Sequence, residues 1–179
     1  LCALAIEVGC GFVARSFSGD AKHLQSLIAA AIRHNGTAFI DVVSPCIAYG
    51  NHEGSTRSYD YVKEYKVSLQ ELGFIHAKDE TILEVQEGDV NIVEMADGSR
   101  LTLRKLTGDH DLQDRSVGTK ILREYREKGQ IVTGLFFLDK SAQSFEDALQ
   151  ISKKPLNRMD ESELIPKASF LAQVLEDFK

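Results

Sequence analysis

Cys46 is the residue best placed to do chemistry, because it follows a strand that a proline stops. The run Thr37-Ala38-Phe39-Ile40-Asp41-Val42-Val43 is short, mostly apolar and β-branched, the pattern of a strand covered on both faces. Pro45 has no N–H to offer a sheet ladder, so the strand ends there and leaves Cys46 at its C-terminal edge. Open α/β sheets collect ligands at that edge. A thiol there can ligate a soft metal or attack as a nucleophile. As a nucleophile it needs a base such as His52 or His23, and no spacing in the chain brings either of them to it.

The remaining reactive types read as structural. Cys2 and Cys10 fall in an apolar helical stretch, where a free cysteine behaves as a small hydrophobe. His34 closes a helix and is expected to complement its dipole. His76 and His110 lie in polar loops and are expected to be exposed, and Asp109-His110-Asp111 lacks a metal-ligand spacing. Walker, GxGxxG, Cys-x-x-Cys and His-Glu-x-x-His motifs are missing from the sequence.

Composition narrows the class. The chain has 179 residues, 43% hydrophobic and 27% charged, which suits one core of ordinary size and not a disordered segment. A net charge of -6 argues against a nucleic-acid-binding face. No apolar run reaches the roughly 18 residues of a membrane span. Three cysteines without a signal peptide favour a reducing cytoplasm. The first residues carry no initiator Met and no basic leader, and read as a cut end of a longer protein.

The elements that position Cys46 follow α/β grammar. Residues 1–8 form a short helix closed by Gly9 and Gly11, and 12–17 (Phe-Val-Ala-Arg-Ser-Phe) a strand. Ser18 or Asp20 caps the next helix, 21–34, with Leu24, Leu27, Ile28, Ala31 and Ile32 on one face and Asn35-Gly36 as its stop. Strand, helix and strand with short links make a parallel crossover. A long polar loop follows at 47–55. Residues 58–72 read as a helix, with Tyr61, Val62, Tyr65, Leu69 and Leu72 apolar and Gly73 as stop. Residues 82–106 read as an antiparallel hairpin around Asp97-Gly98. A charged helix at 114–128, a buried strand at 131–138, and short helices at 145–151 and 168–178 complete the chain. Residues 1–179 are expected to be one α/β domain, with 152–179 as a C-terminal linker and helix.

Two blocks carry a resemblance. Gly11-Phe12-Val13-Ala14-Arg15-Ser16-Phe17-Ser18-Gly19-Asp20 with Lys22-His23-Leu24, and Phe39-Ile40-Asp41-Val42-Val43-Ser44-Pro45-Cys46, resemble the β subunit of 2-oxoacid:ferredoxin oxidoreductases. Asp114-Arg115, Thr133-Gly134-Leu135-Phe136-Phe137 and Lys154-Pro155-Leu156 extend the match to the second half of that subunit. The resemblance implies an α/β fold: part of a thiamine-diphosphate-binding-type, mostly parallel sheet with flanking helices, plus an antiparallel β-hairpin insertion. It also implies thiamine-dependent oxidative decarboxylation of a 2-oxoacid to acyl-CoA, with electrons passed to ferredoxin.

The family's β subunit holds thiamine diphosphate, Mg2+ and a 4Fe–4S cluster. The resemblance makes Cys46 one of the four cluster ligands, and makes the loop 47–51 and the turn 15–20 further candidates beside the cofactor. The implied partners are an α subunit, ferredoxin, the 2-oxoacid and coenzyme A, with no nucleic acid and no membrane. The other cluster cysteines and the Gly-Asp-Gly…Asn motif have no counterpart here, so this chain alone is expected to hold no cofactor and to be inactive. Exposed sheet edges are then expected to drive homo-oligomerisation. Nothing separates pyruvate from 2-oxoglutarate, although the hairpin leans towards the latter. The alternative reading is a non-catalytic α/β interaction module that keeps the fold without the cofactors. A third reading is a thiamine enzyme without a cluster.

Overall fold

A computed structural model describes residues 1–44, 52–56, 58–75, 90–94, 98, 100–105, 110–165 and 168–176. Cys46, the loop 47–51, Pro45 and His76 lie outside the described residues. The chain divides into two compact units, Leu1–Phe145 and Glu146–Lys179.

The first unit is built on a four-stranded sheet. Helix α1 (Cys2–Glu7) leads into strand β1 (Phe12–Phe17), helix α2 (Ala21–Arg33) and strand β2 (Ala38–Val43). Helix α3 (Tyr59–Tyr65) passes directly into β3 (Lys66–Ser68) and then β4 (Gln70–Ile75). Strands β5 (Val90–Glu94) and β6 (Arg100–Lys105) precede helix α4 (Arg115–Glu127) and strand β7 (Ile131–Leu138). The sheet order is β2-β1-β7-β3. Pairs β1–β2 and β3–β7 are parallel and β1–β7 is antiparallel, so the sheet is mostly parallel, as expected.

Apolar residues alternate along the central strands and build a core on each face of the sheet. Phe12 and Ala14 of β1 and Leu135 and Leu138 of β7 meet Leu27 and Ala30 of α2. On the other face Val13, Val132 and Phe136 meet Cys2, Ala5 and Ile6 of α1, with Ile121 and Leu122 of α4 packed against them. A Cβ at Gly118 would stand 2.8 Å from the carbonyl oxygen of Phe136, so glycine is what lets α4 lie this close to β7.

The structure corrects several expectations. Strand β2 is an edge strand, with Ala38 and Val42 exposed and its other residues half-buried, because no further strand pairs with its outer side among the described residues. Helix α2 buries His23, Leu27 and Ala30, leaving Ile28 and Ile32 exposed, so its buried stripe is rotated from the predicted face.

The helix predicted over 58–72 ends at Tyr65. Its second half forms β3 and β4, because the sheet supplies hydrogen-bond partners that a helix would forgo. Gln70, 2% exposed, clamps β7: its Nε2 donates to Leu135 O (3.0 Å) and its Oε1 accepts from Leu135 N–H (3.2 Å). The clamp sits beside the register shift between β1 and β7, where backbone groups need such partners. Gly134, with φ +137°, makes room for it, since a Cβ there would lie 2.2 Å from Gln70 Oε1.

The predicted hairpin is present as the antiparallel pair β5–β6, and β4 adds a third strand to it. In the second unit the boundary falls within α5 (Phe145–Ala148). A 3-10 turn (Leu156–Arg158), α6 (Glu161–Leu164, with an Asp160 capping box) and α7 (Ala168–Glu176) follow.

Candidate functional site at the C-terminal end of β1 and β2

Parallel pairing sets the site. The six residues of β1 align one to one with those of β2, from Phe12 opposite Ala38 to Phe17 opposite Val43. Ser18 N–H continues the ladder by donating to Val43 O (2.9 Å). The two strands therefore end together, and the chain proceeds from Val43 through Ser44 towards Cys46.

The turn between β1 and α2 is internally satisfied on one side and open on the other. Arg15 and Asp41 are register partners, and Arg15 Nε donates to Asp41 Oδ2 at 2.9 Å. Asp20 caps α2 through the His23 N–H (3.3 Å) and pairs with Lys66 of β3. Burial opposes ionisation of Asp20, but the Lys66 ammonium and the His23 amide outweigh it and hold the carboxyl below its usual range. Ser16 Oγ and His23 Nδ1 lie 2.8 Å apart, both buried. Burial pushes the His23 pKa down, the nearby Lys66 ammonium adds to that, and Asp20 opposes it, so the imidazole is neutral at pH 7. Ser18 Oγ and His23 Nε2 are buried without a hydrogen-bond partner among the described residues.

Other candidates fall away. Cys2 is fully buried against Ala14 O and Asp41 Oδ2, each 3.7 Å from its sulfur. Burial pushes its thiol up to about 11, which keeps it protonated and unfit as a ligand. Cys10 is half-buried. His34 does not act as a helix-dipole cation: burial lowers its pKa despite Asp139, and its ring sits 5.8 Å from Phe12. His110 is half-buried, not exposed, and its Nε2–H donates to Leu135 O (3.3 Å). Of the predicted pair of bases, His23 is engaged with Ser16 and His52 lies in an exposed turn.

No group of three or more His, Cys, Asp or Glu able to hold a metal occurs among the described residues. The fit to a bound group is therefore partial. Two orphaned polar atoms, on Ser18 and His23, mark the sheet end where such a group would find hydrogen bonds. The described residues supply no thiolate of their own there.

Sequence reasoning missed Lys66, which it placed in a helix, and the Arg15–Asp41 pair. The pair was legible: both residues stand fourth in strands that a crossover would set side by side.

The fold and this sheet end define an α/β protein of the layered, mostly parallel kind. Structural comparison agrees, matching 91% of the chain to 42% of the 2-oxoglutarate:ferredoxin oxidoreductase from Magnetococcus marinus with 2-oxoglutarate, coenzyme A and succinyl-CoA bound. The TM-score is 0.55 and the identity 16%. Among curated proteins, the chain is similar to the 2-oxoacid:ferredoxin oxidoreductase subunit beta of a Sulfolobus species, 53% identical over 49 residues (27% of this chain, 16% of the relative). The subunit of the same name from Saccharolobus solfataricus is 45% identical over 65 residues, covering 36% of this chain and 21% of the relative. Subunit beta of oxidoreductase 1 from Aeropyrum pernix is 49% identical over 49 residues, covering 27% of this chain and 15% of that protein.

The resemblance read from the sequence thus holds. The matched stretches span about a fifth or less of these curated relatives. No protein-family model matches the chain.

Proposed function

We propose that this chain is the C-terminal part of the β subunit of a 2-oxoacid:ferredoxin oxidoreductase, acting with an α subunit and ferredoxin and inactive alone. The observation that carries the reading is the shared C-terminal end of β1 and β2, tied by Ser18 N–H to Val43 O, from which the chain runs on to Ser44-Pro45-Cys46. Identity of 45–53% to curated β subunits over 49 to 65 residues supports it.

The reaction is the oxidative decarboxylation of a 2-oxoacid: carbon dioxide leaves, the acyl group goes to coenzyme A, and two electrons pass to ferredoxin. Thiamine diphosphate, when bound with Mg2+, supplies the carbanion chemistry. Cys46 would hold one iron of a 4Fe–4S cluster as its thiolate. This chain's described residues shape and stiffen the end of the sheet. Arg15 neutralises Asp41, and Lys66 with Asp20 fixes the first turn of α2. Neutral His23 adds no further positive charge at the α2 N-terminus, where Lys66 already pairs with Asp20. The substrate favoured is 2-oxoglutarate, since the solved neighbour is a 2-oxoglutarate enzyme. The setting is a reducing cytoplasm. Among the described residues, no helix is long and apolar enough to cross a membrane.

The test uses the full-length β subunit purified anaerobically with its α subunit, comparing wild type with Cys46→Ser. The expected result is loss of the cluster EPR signal, of about a quarter or more of the iron, and of 2-oxoacid-dependent ferredoxin reduction, with circular dichroism unchanged. An intact cluster in the variant makes Cys46 a packing residue and removes it from the electron path.

A further inference from the structure

An open groove of about 920 Å³ lies within the first unit, bordered by α1, α3 and α4. Its aliphatic lining includes Leu4, which is 61% exposed, together with Leu122 and Ile131. Its rim carries Arg123 and Arg126, three residues apart on α4 and therefore on one face. Neither arginine side chain has a hydrogen bond or ion pair among the described residues. Arg15, also at the groove, is held by Asp41, and among the described residues Glu7 is the only acidic one in the lining.

We propose that this groove docks an acidic, amphipathic segment of a partner polypeptide, with aliphatic side chains on Leu4, Leu122 and Ile131 and carboxylates on Arg123 and Arg126. Charge complementarity selects that occupant. The chain as a whole carries -6, yet here two uncompensated guanidiniums border a surface of exposed leucine. Guanidinium groups bind carboxylates in a fork, and an aliphatic floor accepts the i, i+3, i+4 side chains of a helix.

A phosphate ligand fits less well. The groove includes the C-terminal end of α4, which carries the negative pole of the helix. The Gly129 N–H there already donates to Arg126 O, so it is not free to cradle an anion. Tyr61 is likewise engaged, its hydroxyl donating to Gly129 O (3.2 Å), which ties α3 to the end of α4 and fixes that wall. The proposal rests on Leu4, Leu122, Ile131, Arg123 and Arg126 and does not depend on the cofactor reading.

The test titrates the 179-residue chain, by fluorescence anisotropy, into a labelled peptide of about 14 residues. The peptide carries leucine at i, i+3, i+4 and i+7 and glutamate elsewhere; its scrambled sequence and inorganic pyrophosphate serve as competitors. Expected are saturable binding that weakens at higher salt, loss of about tenfold in affinity in Arg123→Ala/Arg126→Ala, and a smaller loss in Leu4→Ser. All three positions are exposed, so the variants keep the fold. Equal affinity in the double variant, displacement by pyrophosphate, equal binding of the scrambled peptide, or no binding at all overturns the proposal.

Discussion

Ser16, His23, Asp20 and Lys66 show how a few side chains set the character of the sheet end. A histidine on the first turn of α2 would ordinarily be free to titrate near neutrality. Here it is buried with its Nδ1 on Ser16 Oγ, and burial, with Lys66 adding to it, disfavours its proton against the opposite pull of Asp20. His34 is shifted the same way by burial. A histidine whose folded pKa lies below its unfolded value of about 6.5 resists the proton that the unfolded chain accepts, so stability falls as pH drops through that value. Urea midpoints measured at pH 7.5, 6.5 and 5.5 should therefore decline. His23→Gln should flatten the slope while retaining an amide near Ser16. An unchanged slope in His23→Gln would mean that other groups cause the acid sensitivity. Asp20 acts in a lower window: its depressed pKa stabilises the fold above the usual carboxylate range and is lost only in stronger acid.

At the scale of elements, β7 and its neighbours depend on one clamp. Gln70 satisfies both backbone groups of Leu135, and Gly134 leaves space for its amide. Gln70→Ala leaves the buried Leu135 N–H without its side-chain partner, while Leu135 O keeps the His110 Nε2–H, and should cost about 1–3 kcal/mol. Gly134→Ala forces a side chain into a positive-φ residue and against Gln70, for a cost of about 1–3 kcal/mol from strain alone. Thermal or urea unfolding checks both. A double variant no worse than the poorer single one would show that the two positions act as one feature. The same clamp explains why the helical spacing of 58–72 misled. Val62, Tyr65, Leu69 and Leu72 do recur at helical intervals, but only residues up to Tyr65 adopt a helix. Lys66 to Ser68 instead pair with Ile131 to Thr133, a partner more than sixty residues away.

At the scale of the molecule, the outer side of β2, unpaired among the described residues, lies near apolar surface. Val42 is 41% exposed, while Ile28 and Ile32 of α2 are 43% and 76% exposed. Such an edge invites pairing, so the isolated chain should self-associate, and light scattering at rising concentration should show a dimer or larger species. A clean monomer at high concentration would count against it.

Much of this was legible locally. β1 and α2 follow from the Phe-Val-Ala-Arg-Ser-Phe run, the Asp20 cap and the glycine stops, and α4 and β7 from Asp114, Gly129 and the mostly apolar run at 131–138. Short-range propensity and caps act within a few residues, so sequence alone determined these elements and the parallel step from β1 to β2. Long-range pairing acts between residues that sequence does not align. It decided that 66–75 extend as strands, that β7 runs antiparallel to β1, and that β2 lies at an edge. Three-dimensional burial decided that His23 and His34 stay neutral and that Cys2 remains a thiol, because a pKa answers to the neighbours and solvent that only the folded chain provides.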